Sequence, residues 1–363
     1  MGKFGFLVHP LSIEDIAKKY KIARKVSPKL VAGVLKRRRP FVISEATGIR
    51  SSTGAEAKGW FIAVPLLPHQ ILELDEEFVI EKIVKACKIA RKREARIVGL
   101  GAFTALVGNG GRRIADRIDI AVTTGNTYTI VTAIEGIKRA AAVMDINLSE
   151  ACLTVVGATG SIGSACAQCL APEVGELRLV GRNMERLEYL VGEVKRISKK
   201  DAIISTDISA CVREADVIIS VTGAVGDVIL PEDIKPGAVI CDVARPRDVS
   251  QRVAEARGDV LVIEGGIVNV PGDADLNFDF GLPKGMALAC MAETMILALE
   301  GRYEDYTLGK DISVEKIGEM QELAKKHGFE LAGLRSFDKA MTPAQIEEVK
   351  KKARSRTRGQ NWI

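Results

Sequence analysis

Glycines stand at every third position of Thr154-Val155-Val156-Gly157-Ala158-Thr159-Gly160-Ser161-Ile162-Gly163-Ser164, between an apolar strand and a helix. Residues without Cβ let the backbone turn tightly, and helix-start N–H groups can then approach a pyrophosphate. Gly157, Thr159, Gly160, Ser161, Ile162 and Gly163 are therefore candidate cofactor-binding residues. A glycine pattern alone is weak, but five further strand-like runs follow it in the order a dinucleotide fold requires. The next run ends at Leu179-Val180-Gly181, and Arg182, Asn183 and Arg186 follow where an NAD-selective domain carries an acid. An arginine there suits the 2′-phosphate of NADPH, so NADPH is the expected cofactor. Val221, Thr222 and Gly223 close the fourth run and are expected beside the nicotinamide half.

The seven cysteines are odd in number and scattered through apolar segments, which reads as reduced thiols and not as a disulfide framework. Cys166 and Cys169 have the spacing of a redox or metal pair, yet they sit among Ala165, Ala167 and Leu170, where core packing is the expected use. With only His9, His69 and His327 in the chain, no set has metal-ligand spacing and no metal is expected. His9 follows an apolar strand; it is either a substrate-side proton donor or a strand-end histidine bonded to a loop. Thr124 and Asn126 stand at a helix start, where capping is the expected use.

Elements of two kinds must position these groups. Residues up to about 147 mix short apolar runs (Phe4–Val8, Trp60–Leu67) with helical stretches such as Glu77–Arg93, and a helix from near Asn126 leads out of this part. From Cys152 the runs CLTVVG, LRLVG, AIIST, DVIISV, AVICDV and VLVIEG alternate with helices, the pattern of a doubly wound parallel sheet. The expected class is α/β: an N-terminal α/β domain over 1–147, a Rossmann domain over 148–270, and a C-terminal helical segment over 271–363. That last segment contains an apolar helix over Met286–Glu300, an amphipathic helix over Val314–His327, and a charged, frayed tail after Pro343.

A hydrophobic fraction of 47% over 363 residues supports a sizeable core. No apolar run is long enough to span a bilayer and the opening residues lack a signal-peptide pattern, so a cytoplasmic location is expected. A net charge of +5 with basic runs at Lys36–Arg39 and Lys350–Arg358 reads as solvated faces or as a site for an acidic partner. Those runs lack interleaved aromatics, and nucleic-acid binding is not expected.

Two family resemblances follow. Phe4-Gly5-Phe6-Leu7-Val8-His9-Pro10, Val64-Pro65-Leu66-Leu67-Pro68-His69-Gln70 and Gly125-Asn126-Thr127-Tyr128 resemble segments of shikimate dehydrogenases. That family works with a lysine and an aspartate, and Gln70 and Tyr128 occupy the corresponding places. Neither side chain supplies the proton-transfer pair that alcohol oxidation needs, which disfavours shikimate or quinate oxidation.

The closer resemblance is to the long-chain acyl-[acyl carrier protein] reductases of cyanobacteria and runs from Phe4 to about Phe329. It rests on Thr123–Thr129, Gly157–Ser164, Arg182-Asn183 with Arg186-Leu187-Glu188, Gly265-Gly266-Ile267-Val268, Ala289-Cys290-Met291-Ala292-Glu293 and Lys326-His327-Gly328-Phe329. The resemblance implies reduction of a fatty acyl thioester, on acyl carrier protein or coenzyme A, to the aldehyde with NADPH, and Cys290 falls on the cysteine that carries the acyl group. A thiolate attacks a thioester readily and leaves readily, and a position early in a helix would favour that anion. Without the resemblance, a cysteine in MALACMAETMILAL reads as core. Carried in part by Thr123–Thr129, the resemblance also leaves a substrate-side or cofactor-side role open for Thr124 and Asn126. The loop Asn269–Lys284 and the stretch Gly108-Asn109-Gly110-Gly111 depart from the cyanobacterial pattern and are candidates to border the acyl pocket. Two alternatives stay open: a shikimate/quinate-type or amino-acid dehydrogenase using NADP, and an NADPH-binding protein without turnover.

Overall fold

The structure, a computed structural model, describes residues 1–224, 228–244 and 247–359. The chain forms two compact units, one of Met1–Tyr128, Asn269–Asp311 and Glu319–Glu330, the other of Thr129–Val268, Ile312–Gly318 and Leu331 onward. Residues Asn269–Asp311 thus belong with the N-terminal part, and the segment expected as one piece from 271 is divided between the units.

The first unit is built on β1 (Gly2–Val8), β2 (Phe41–Arg50), β3 (Glu56–Ala63), β4 (Ile97–Leu100), β5 (Ala121–Thr123) and the strand Gly272–Asp275. The last of these occupies one edge, followed in space by β2, β3, β1, β4 and β5. β1 runs parallel to β3 and β4, whereas β2 is antiparallel to β3. Central β1 reads as a continuous apolar run because both its faces are covered; Phe4, Phe6 and Leu7 are at most 1% exposed.

On one face lies the helix Glu76–Lys92, started by Asp75 whose side chain accepts the Phe78 N–H at 2.9 Å. Its buried Val79, Ile80, Ile83, Cys87 and Ala90 recur at helical spacing and pack into the sheet core. Each large apolar side chain of this kind contributes about 1.5–3 kcal/mol on burial. Against β1, β3 and β4 also packs the helix Ala289–Glu300, buried from Met291 to Leu299. It sits very close to the sheet: a Cβ on Gly99 would lie 2.2 Å from Thr294 Oγ1. An apolar helix without a polar stripe needs such enclosure. This helix begins at Ala289 and not at Met286, because Met286–Leu288 is a strand.

The second unit has β6 (Cys152–Val156), β7 (Glu176–Val180), β8 (Ile203–Ser205), β9 (Val217–Ser220), β10 (Val239–Asp242) and β11 (Leu261–Glu264). Their spatial order is β8, β7, β6, β9, β10, β11, all parallel. This is the doubly wound Rossmann order, and the connection reverses direction between β6 and β9, where such sheets open a ligand crevice. The expected α/β class with a parallel-sheet dinucleotide domain is what the chain adopts. The tail expected to fray is the helix Pro343–Gly359, tied back by Lys350 to Asp145 at 2.7 Å.

Candidate active site

The glycine turn joins β6 to the helix Ser161–Leu170 at the point where strand order reverses. Gly157 has φ +85°, and a Cβ there would meet the Val221 carbonyl oxygen at 2.5 Å. A Cβ on Gly163 would sit 2.4 Å from the Gly157 carbonyl oxygen. The turn therefore closes on itself only with glycine at both places. Gly160 is the helix N-cap and brings no side chain to fill the helix mouth, while Thr159, Ser161 and Ile162 line the turn half-buried.

After β7, Asn183 caps the helix Met184–Ser198 by accepting the Arg186 N–H at 2.9 Å. Arg182 and Arg186 are exposed, and among the described residues neither is in an ion pair. After β9, the Thr222 N–H and hydroxyl donate to the Asp248 carboxylate at 2.7 and 2.5 Å, and Ser220 Oγ donates to it at 2.8 Å. Asp248 is fully buried, so this cluster fixes the Val221–Gly223 segment on the same edge as the glycine turn. No local pattern around Asp248 announces that use. Turn, fixed β9 end and exposed arginines all fit NADPH. Replacing Arg182 and Arg186 by alanine together is expected to weaken NADPH binding by about tenfold or more while changing NADH binding little, since each lost charge-assisted bond to phosphate is worth about 1.5–3 kcal/mol. Equal loss for the two nucleotides in a binding titration would contradict that assignment.

In the first unit, Cys290 is the second residue of the helix Ala289–Glu300 and is half-buried. Against it lies the turn between β5 and the helix Asn126–Val143: a Cβ on Gly125, which has φ +77°, would fall 2.4 Å from both Cα and Cβ of Cys290. One turn further along, Glu293 is fully buried. Its carboxylate accepts the Thr123 hydroxyl, the Thr307 hydroxyl at 2.9 Å and the Tyr128 N–H at 2.8 Å. Burial pushes the Glu293 carboxyl above the usual range, opposed by those bonds and by the Gly125 N–H. An acid among CMAETMILAL is the one hint of this role in the sequence.

Thr124 is 2% exposed; its N–H donates to the Thr307 carbonyl at 3.0 Å and its hydroxyl is buried with no partner among the described residues. Asn126, half-buried, opens the helix Asn126–Val143. His9 is buried, with Nδ1 at 3.1 Å from the Pro10 carbonyl and Nε2 accepting the Phe103 N–H at 3.2 Å. Burial lowers its pKa to about 4, so the ring is neutral near pH 7.

Burial pushes Cys87 and Cys152 up to about 12 and Cys169 up to about 11, and raises Cys166 and Cys211. Among the described residues no disulfide joins any of the seven cysteines. Among the described residues no group of His, Cys, Asp and Glu is arranged to hold a metal ion, and no helix is long and apolar enough to cross a membrane. Of the two stretches that depart from the cyanobacterial pattern, residues 108–111 carry positive φ throughout, from 56° to 84°. The loop after Gly272–Asp275 borders a half-open cavity of about 240 Å³ lined by apolar side chains such as Phe278, Phe280 and Met286 and by the charged Asp275, Asp279 and Lys284. Phe280 stacks between Phe61 and Phe278 at 4.7 and 4.8 Å.

The family model for shikimate / quinate 5-dehydrogenase matches residues 138–263, which lie within the second unit. Aminotransferase PigE of Serratia sp. is 30% identical over 361 residues, covering 96% of this chain; the chain spans only 42% of that relative's length. Glutamyl-tRNA reductase of Corynebacterium urealyticum is 27% identical over 197 residues, 47% of this chain and 40% of that protein. The long-chain acyl-[acyl-carrier-protein] reductase of Synechococcus elongatus is 31% identical over 313 residues, covering 80% of this chain and 87% of the reductase. At 31% identity over 80% of its length, the chain belongs to the long-chain acyl-[acyl-carrier-protein] reductase family.

Proposed function

We propose that this protein reduces a fatty acyl thioester, carried on acyl carrier protein or coenzyme A, to the aldehyde with NADPH, through an acyl group held on Cys290. The observation that carries the reading is the setting of Cys290. It is half-buried at the second position of a helix, where backbone N–H groups favour a negative sulfur, while the two other part-exposed thiols are held protonated by burial.

Cys290 Sγ attacks the thioester carbonyl carbon, forming a new C–S bond as the carbonyl electron pair moves onto oxygen. Collapse restores the carbonyl and breaks the bond to the carrier sulfur, which leaves as a thiolate and takes a proton from water. NADPH, when bound, supplies a hydride to the carbonyl carbon of the acyl-enzyme. The resulting hemithioacetal expels Cys290 as its thiolate and releases the aldehyde. On the cofactor side, Gly157–Gly163 and Thr222 hold the dinucleotide and Arg182 with Arg186 bind its 2′-phosphate. The cavity walled by Phe278, Phe280 and Met286 is the proposed berth for part of the acyl chain, since its wall ends four residues before Cys290. Seven cysteines with no disulfide among them fit a reducing compartment, and a cytoplasmic reaction is the reading we favour.

The dehydrogenase alternative gains nothing from the first unit. Gln70 spends its amide on the Leu67 N–H at 3.1 Å and the Ala32 carbonyl at 2.9 Å, and Tyr128 packs edge-on to Phe329. Mixing the protein with a long-chain acyl-coenzyme A in the absence of NADPH is expected to add one acyl mass, mapped to Cys290 by peptide analysis. No adduct, or an adduct on another residue, would refute the acyl-cysteine route.

A further inference from the structure

Three threonines stand in or beside the turn that presses on Cys290, with Thr123 at the end of β5 and Thr127 in the first turn of the helix Asn126–Val143, and these two are committed. Thr123 donates its hydroxyl to Glu293, and the Thr127 hydroxyl bonds that of Thr307 at 2.7 Å. Thr124 lies between them with its main chain fixed to Thr307. Its methyl is directed toward Gly111, whose added Cβ would come within 3.6 Å of it. Its hydroxyl is buried and unpartnered among the described residues. A buried hydroxyl without a partner destabilises a fold, and a valine of the same shape would avoid that cost. A hydroxyl kept at this cost beside Gly125, whose added Cβ would lie 2.4 Å from Cys290, needs a reason outside the resting fold.

We propose that Thr124 is a catalytic hydrogen-bond donor. Its hydroxyl binds the thioester carbonyl oxygen as that oxygen gains negative charge during attack by Cys290, and binds the same oxygen again during hydride transfer. The proton stays on Thr124 throughout, so the group stabilises charge and consumes nothing. Glu293 serves as the positioning residue: by gripping Thr123, Thr307 and the Tyr128 N–H it holds the turn against the Cys290 helix. The proposal rests on the reading of Cys290 as nucleophile.

The test compares Thr124→Val with Thr124→Ser. The time course of Cys290 acylation by a long-chain acyl-coenzyme A, followed by intact mass without NADPH, is expected to slow about 100-fold in Thr124→Val and to stay within a few-fold of the parent in Thr124→Ser. Thr124→Val should melt at or above the parental temperature and bind NADPH equally well. Acylation of Thr124→Val at the parental rate overturns the proposal. So does a Thr124→Val protein that melts lower while Thr124→Ser acylates just as slowly, because that pattern marks a structural residue. If the parent itself takes no acyl group on Cys290, the nucleophile assignment has failed instead.

Discussion

Replacing Cys290 with alanine is expected to abolish aldehyde formation from acyl thioesters and to leave NADPH affinity unchanged. Loss of a covalent nucleophile costs on the order of 10³–10⁶ in kcat in enzymes of this mechanistic kind, since binding and charge stabilisation alone rescue little. Serine is expected to give the same result, because its hydroxyl is hardly ionised near neutral pH and is a poorer leaving group than a thiolate. The fold should survive: Cys290 is half-buried at the edge of the helix, and removing one sulfur there is expected to cost about 1 kcal/mol. Cofactor binding is spared because Gly157–Gly163, Arg182 and Thr222 all belong to the second unit. Aldehyde measured by chromatography and NADPH affinity measured by fluorescence titration check the two halves. Aldehyde formation at the parental rate in Cys290→Ala would remove the thiolate mechanism.

The second unit was legible because parallel strands buried on both faces are spelled as short β-branched runs. CLTVVG, LRLVG, AIIST, DVIISV, AVICDV and VLVIEG each contain one strand of the sheet. Its glycine turn is equally local: every residue that needs to lack a Cβ lies within seven positions of the others. The Cys290 site is different, since Glu293 finds its partners 170 and 165 residues earlier in the chain at Thr123 and Tyr128. Periodicity reports only that an acid interrupts an apolar helix, and nothing local shows what satisfies it. The placement of Asn269–Asp311 with the N-terminal sheet has the same origin. An apolar helix must be enclosed, but the sequence does not say by which sheet, and β1, β3 and β4 supply the cover. Thr124 was visible as a helix-start residue. Its distinction came only with the structure, which pairs the Thr123 and Thr127 hydroxyls and leaves that of Thr124 without a partner among the described residues.

Gly125→Ala is the smallest change expected to disable the site without touching a reactive atom. The added methyl would stand 2.4 Å from Cys290 Cα and Cβ and 2.6 Å from the Cys290 carbonyl oxygen, and two of these are backbone atoms with no rotamer to move away. Gly125 also holds φ +77°, where an alanine costs roughly 1–2 kcal/mol before any clash is counted. Relief requires the turn and the start of the Ala289–Glu300 helix to separate, which strains the grip of Glu293 on Thr123 and Tyr128. Strain of this size, with the overpacking added, should destabilise the first unit by about 3 kcal/mol. Thermal unfolding should then begin roughly 6–12 °C lower. Cys290 keeps its thiol but loses its relation to Thr124, so acyl adduct formation should fall by at least about 100-fold, in line with what small misplacements of reacting groups cost. NADPH titration separates this from general unfolding, because the dinucleotide turn lies in the other unit. A Gly125→Ala protein that binds NADPH normally and acylates slowly supports a turn built to seat Cys290; parental acylation would show that the close approach has no part in the chemistry.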